Sequence, residues 1–467
     1  MPSALGQVHT FSCLGTRLAL DVESGSLHQI DEVTYEILRL YPEKQRSEII
    51  AALVPRFGTQ TVEEALDEVE EAVAEGTLFS PPALTSWEPS GPPVVKALCL
   101  HVAHDCNLRC RYCFGDTGDF GGRRELMPAA VARKAIDFLL AGSGSRPLCE
   151  VDFFGGEPLL NLPVVRQAVN YARREGEKKG KRFKFTLTTN GVLLTKEVRH
   201  ELADLGVSLV LSLDGRPEVH DRMRVDAGGQ GSYRRVLPNI LAAAAGDPKG
   251  DWWVRGTFTR ENLDFAADAR HLVEIGINRF SLEPVVALPS EPYALREEDL
   301  PTLYAQYEEL TRLYEERVRA GRPFRFFHFE IDLSHGPCLP KRFTGCGAGH
   351  EYFAVAPNGD LYPCHQFVGR EEYRLGSVAD GIRRPDLVEE FRHATLFTKP
   401  ACRTCWARYF CGGGCHANAH LFHGHIRRPY ELGCSLEKKR LECALYLKAA
   451  LELPAPKGEV PGAGDSA

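Results

Sequence analysis

The chain has 467 residues, more than one ordinary core holds, so two or three domains are expected. Its 43% hydrophobic and 25% charged residues are those of a globular protein, and no apolar run approaches the ~20 residues that span a bilayer. A net charge of −7, from 56 Lys and Arg against 63 Asp and Glu, argues against a nucleic-acid partner, and fifteen cysteines without a charged and apolar leader predict metal ligation in a reducing cytoplasm.

Residues 1–80 predict a small module. Apolar runs at Val8–Leu14 and Arg17–Val22, joined through Gly15, suggest a hairpin, and Ser26–Ile30 adds a strand. Asp31 caps a helix to about Leu40, and helices over Ser47–Phe57 and Thr61–Gly76 follow. Residues 81–95 predict a linker, with five prolines between Pro81 and Pro93 that would make the module separable.

From 96 to 320 strands alternate with amphipathic helices. Strands are predicted at Ala97–Val102, Val151–Phe154, Phe183–Thr188, Ser208–Leu213, Trp253–Thr259 and Arg279–Glu283. Such alternation means parallel strands with crossover helices, hence an α/β fold: a partial (β/α)6 barrel of the TIM type with its site at the C-terminal strand ends. A helix over Glu297–Arg319 bridges to a Cys- and Gly-rich region, 321–450. Its weak periodicity predicts little apolar core, with metal supplying the order. Residues 451–467 predict a disordered tail.

The loop after the first barrel strand reads Ala-His-Asp-Cys-Asn-Leu-Arg-Cys-Arg-Tyr-Cys-Phe, with Cys106, Cys110 and Cys113 in a C-x3-C-x2-C spacing. Three thiolates on one loop can hold three irons of a cubane cluster and leave the fourth open. Structural zinc usually takes four protein ligands, and this loop offers three. The open iron can chelate the amino and carboxylate groups of S-adenosylmethionine and pass an electron to its sulfonium. This spacing, with an aromatic before the third Cys, resembles the radical S-adenosylmethionine enzymes.

Other strand ends match that family. Phe-Phe-Gly-Gly-Glu-Pro ends the second strand, where Gly155 and Gly156 let a ligand's ammonium approach backbone carbonyls and Glu157 adds charge. In the family this motif serves the methionine amino group. Thr189 and Asn190 end the third strand; Ser212 and Asp214 end the fourth, where hydroxyl and carboxylate suit a ribose. Each is also a common strand-to-turn residue. Arg224 and Arg255 are both candidates for the methionine carboxylate. Tyr112 resembles the family residue whose backbone meets adenine.

Seven cysteines follow: Cys346, Cys364, then Cys402, Cys405, Cys411 and Cys415 as C-x2-C-x5-C-x3-C, and Cys434. Cys338 would make eight, enough for two complete four-cysteine sites. Zinc ribbons compete on ligand type alone. The arrangement resembles the SPASM domain with its two auxiliary 4Fe–4S clusters, three with the barrel's. That resemblance implies Cys346, Cys364 and Cys415 on the first and Cys402, Cys405, Cys411 and Cys434 on the second. Cys338 either completes the first cluster or leaves an iron for a substrate thiolate. Cys13, Cys99, Cys149 and Cys443 read as small buried hydrophobes, and His416, His420, His423 and His425 as solvated or supporting groups.

The strings around Cys106, Gly155 and Cys346 closely resemble the maturases of SCIFF peptides, ribosomally made six-cysteine precursors, across residues 1–450. Residues 1–80 are similar to a winged-helix peptide-recognition element. The resemblance implies an enzyme that cleaves S-adenosylmethionine and removes hydrogen from an acceptor residue. A peptide Cys sulfur then bonds to that carbon, giving thioethers of the sactipeptide or ranthipeptide type. It also implies a precursor bound by its leader and an electron donor such as ferredoxin or flavodoxin. A peptide oxidase forming formylglycine is the alternative within the family. A winged-helix zinc DNA regulator is the alternative outside it, disfavoured by charge.

Overall fold

In a computed structural model of the chain, residues 6–245, 251–333 and 343–452 are described. Cys338 and the predicted tail from 453 onward lie outside the described residues. Antiparallel strands β1 (Val8–Cys13), β2 (Thr16–Asp21) and β3 (Leu27–Ile30) open the fold, followed by helices α1 (Glu32–Leu40), α2 (Arg46–Phe57) and α3 (Thr59–Ala74). The β1–β2 turn is Leu14–Gly15, both at positive φ (49° and 85°), as a two-residue hairpin requires. Asp31 caps α1 by accepting the Thr34 N–H at 2.8 Å.

Alternation along β2 divides its side chains between two cores. Ala19 joins Val33, Ile37 and Leu66 beneath the three helices, whereas Leu18 and Leu20 face the main core. The prolines predict a separable module, and here the structure differs. The sheet's second face packs on the C-terminal helix Glu431–Glu452. His9 lies 3.0 Å from Glu442 and stacks on Trp406 at 3.9 Å between ring centres. Cys13 and Cys443 are both buried in that seam.

The six predicted barrel strands are present as β4 (Ala97–His104), β6 (Leu148–Gly155), β7 (Arg182–Thr189), β8 (Val207–Ser212), β9 (Trp252–Phe258) and β10 (Arg279–Pro284). They are parallel and neighbour each other in that order. The short β5 (Glu125–Leu126) pairs antiparallel with the end of β4, and β11 (Arg325–Phe326) adds to β10. On the other flank β12 (Tyr352–Val355) pairs parallel with β4 and leads antiparallel into β13 (Asp360–Tyr362), β14 (Gly376–Ser377) and β15 (Gly381–Ile382). Among the described residues the two flanks do not pair, so the barrel is open there. Leu187, Leu211, Val254 and Leu282 are buried under the helices. Residues of opposite parity, including Phe154, Ser212, Arg255 and Glu283, face inward.

The Cys- and Gly-rich region corrects the expectation of little apolar core. Phe353, Val355, Leu361, Phe367, Phe391 and Leu396 are buried in the core shared with the barrel, and helix Glu431–Glu452 lies against helix Leu300–Arg319. Short strands and turns each bury one or two residues, so no period marks that core in the sequence.

Candidate active site

The loop of Cys106, Cys110 and Cys113 leaves β4 at the C-terminal ends of the parallel strands. Two backbone bonds fasten the end of β6 beside it: Gly156 N–H to Ala103 O at 2.7 Å and Glu157 N–H to Asp105 O at 2.8 Å. The approach leaves no room for a side chain. A Cβ on Gly155 would lie 2.2 Å from Ala103 O, and one on Gly156 2.1 Å from Asp105 O. Gly118 crosses the loop as closely, 2.8 Å from the Cys106 Cβ to where its own Cβ would be. Its φ of 94° suits glycine, and being a glycine is its only sequence signal.

Burial pushes the Cys106 and Cys110 thiols up to about 11 and raises Cys113, so cluster binding must displace protons. The three thiols are close enough to act on one another: Cys110 on Cys106, Cys113 on Cys110, Cys106 on Cys113. Two donors reach the Cys106 sulfur, Leu108 N–H at 3.4 Å and Asn190 Nδ2 at 3.6 Å, supporting a thiolate there. Asn190 Nδ2 also donates to Asn107 Oδ1 at 2.7 Å.

Glu157 is fully buried and its oxygens are already engaged. One accepts Leu159 N–H at 3.0 Å and the Thr189 hydroxyl at 2.8 Å; the other accepts Asn190 N–H at 2.8 Å. Burial raises its carboxyl to about 7 against those bonds. Asp214 is committed likewise. It accepts Tyr112 OH at 2.6 Å, Arg224 Nε at 3.1 Å and Thr257 N–H at 3.0 Å, and Arg224 lies over the Tyr112 ring. Arg255 pairs in register with Ser212, projects into the barrel and forms no ion pair among the described residues. The structure thus gathers Tyr112, Asp214 and Arg224 into one cluster, with Ser212 and Arg255 on the neighbouring strands outside it, where the Arg255 charge acts on Glu283 and His365.

Further along, the chain brings together Cys346, Cys364 and Cys415, since both others act on the Cys364 thiol. Cys402, Cys405, Cys411 and Cys434 form a second set by the same measure. The histidines do not converge: His420 meets Tyr373 OH at 2.8 Å, and His423 meets Glu431 at 3.1 Å. Among the described residues no three His, Cys, Asp or Glu side chains are gathered as ligands of a single ion. Soft thiols in separate sets, with N–H donors aimed at sulfur, fit iron–sulfur clusters.

Gly156→Ala tests the cradle. The methyl collides with Asp105 O, so the Cys106 loop must move and its cluster iron should be lost. The expected drop is about one third of the total, if three 4Fe–4S clusters are bound. Iron per chain, with unchanged far-ultraviolet circular dichroism, checks this.

Similarity to known proteins follows the same division. The radical SAM superfamily model matches residues 100–246, and that of SPASM, an iron–sulfur cluster-binding domain, matches 346–406. Mycofactocin maturase MftC of Mycobacterium ulcerans is 30% identical over 346 residues, covering 68% of this chain and 83% of that protein. The cysteine-type anaerobic sulfatase-maturating enzyme of Clostridium novyi is 23% identical over 346 residues, covering 69% and 88%. The solved structure of native anSMEcpe with bound AdoMet and Kp18Cys peptide matches with TM-score 0.62 at 20% identity, covering 77% of this chain and 99% of that one. The chain belongs to the radical S-adenosylmethionine superfamily and carries a SPASM domain. Its barrel domain binds a 4Fe–4S cluster and S-adenosylmethionine, and its SPASM domain binds auxiliary iron–sulfur clusters. No helix among the described residues is long and apolar enough to cross a membrane.

Proposed function

We propose that the protein is a cytoplasmic peptide maturase that forms thioethers between cysteines and acceptor residues of a six-cysteine precursor. Cys106, Cys110 and Cys113 hold the cluster that, when bound, supplies the electron for cleaving S-adenosylmethionine. Cys346, Cys364 and Cys415 hold the first auxiliary cluster; Cys402, Cys405, Cys411 and Cys434 hold the second. A donor of the ferredoxin or flavodoxin class supplies electrons.

One observation carries the reading. Phe114 directly follows Cys113, His365 directly follows Cys364, and their rings lie 5.5 Å apart. Phe154 completes the wall, 6.2 Å from Phe114 and 5.1 Å from His365. Phe114 is 53% exposed, an aromatic surface on which a peptide can lie and exclude water. A cysteine seated there lies between the two sets of thiols. Cys338 either completes the set of Cys346, Cys364 and Cys415 or leaves it a place for a substrate sulfur.

Residues 1–80 act as the recognition element. Among the described residues β3 pairs with β2 alone, leaving a strand edge to which a leader peptide can add. Holding the leader raises the effective concentration of the core peptide at the barrel.

Each thioether exchanges one C–H and one S–H for a C–S bond, so the product is lighter by two hydrogens. Reconstituted enzyme with a six-cysteine precursor should give that mass loss and cysteines that resist alkylation. Mass loss with every thiol still alkylatable defeats the proposal. Formylglycine formation is the second reading, favoured by the similarity to the sulfatase-maturating enzyme. Fragmentation of the product peptide separates an aldehyde from a cross-link.

A further inference from the structure

We propose that Lys399 is the counter-charge of the auxiliary iron–sulfur sites and sets their reduction potentials. Lys399 is 1% exposed and makes no ion pair with any described Asp or Glu. Its Nζ donates to Gly413 O at 2.8 Å and lies 3.4 Å from His416 Nδ1. Gly413 stands between Cys411 and Cys415, and His416 follows Cys415 directly. The ammonium is therefore pinned to the stretch that joins the two thiol sets. Its own carbonyl accepts the Cys402 N–H at 2.9 Å, holding the start of the C-x2-C turn.

An ammonium so buried without a carboxylate is costly in any fold. Burial lowers its basicity, while Cys402 and Cys411 from one set, and Cys415 and Cys346 from the other, act in the opposite sense. The anions Lys399 faces are thus the thiolates of both sets and the clusters they hold. His416 supplies no competing anion, because burial and the Lys399 charge lower its basicity.

Adding an electron makes a cluster more negative, and a fixed cation in a low-dielectric interior favours the reduced form. Lys399 therefore raises the auxiliary potentials and eases electron entry from the barrel side. Its position serves both sites at once, and its role is independent of which bond the enzyme forms in its peptide.

Lys399→Gln removes the charge and keeps a donor for Gly413 O. Redox titration of the full-length holoenzyme, followed by electron paramagnetic resonance, reads each cluster separately. We expect at least one auxiliary midpoint to fall by about 59 mV or more, a tenfold change in the one-electron reduced-to-oxidised ratio. The midpoint of the Cys106-loop cluster should stay where it is. Unchanged auxiliary midpoints at full iron content overturn the proposal, as does an equal shift of every cluster. If Lys399→Gln loses auxiliary iron, Lys399→Arg decides: recovered iron supports a need for charge, and iron lost in both variants overturns it.

Discussion

Replacing Cys106, Cys110 and Cys113 together by Ala should abolish cleavage of S-adenosylmethionine and remove about one third of the iron, if three 4Fe–4S clusters are bound. The fold should survive, because other groups fix the loop's backbone. Arg109 N–H donates to Val225 O at 2.6 Å, and Arg111 N–H to Met223 O at 2.9 Å. None of the three residues is fully buried, so no large apolar cavity is opened. The C-terminal thiol sets share no residue with this loop, so their iron should remain. Iron per chain and 5′-deoxyadenosine formation are the measurements. Retained cleavage would refute the barrel site.

Glu23→Ala should lower auxiliary iron although Glu23 belongs to the N-terminal module. Its side chain is 3% exposed and pairs with Arg408, which is 9% exposed and stands between Cys405 and Cys411. Arg408 also donates to Gln7 Oε1 at 2.8 Å and to Cys405 O at 3.0 Å, and Tyr409 OH donates to Glu23 at 3.1 Å. Removing one partner of a buried pair costs about 3–5 kcal/mol, because the other charge is left uncompensated. Here that charge sits in the turn carrying the second thiol set. Auxiliary iron and thermal stability should fall while S-adenosylmethionine cleavage persists. Glu23→Gln, which keeps a hydrogen-bond acceptor, should have the smaller effect. Deleting residues 1–80 should have the larger, since it also uncovers the seam at Cys443 and Trp406. Undiminished auxiliary iron after both Glu23→Ala and the deletion would show the module to be energetically independent.

Other features show where sequence reading stops. Glu157 and Asp214 read as polar groups at strand ends, available to a ligand. Folding spends their oxygens on Thr189 and Asn190 in one case and on Tyr112 and Arg224 in the other. Both partnerships join residues far apart in the chain, and strand-end chemistry alone does not distinguish a ligand contact from a strut. Phe114 and His365 carry no motif of their own. Their contact arises because β12 pairs with β4 and carries the Cys364 turn to the barrel mouth.

The sequence by itself determined the three-cysteine loop, the Gly155–Gly156 turn and the six parallel strands. Each is written in short-range spacing or in a local period, which the backbone turns directly into geometry. Only the tertiary structure decided that the N-terminal sheet is docked on the C-terminal helix and that Glu23 buttresses Arg408. It also decided that Lys399 is buried beside thiols of both sets, with no ion pair to a described carboxylate. Those facts depend on which distant segments meet, and hence on the desolvation and pairing of charges that no local pattern encodes.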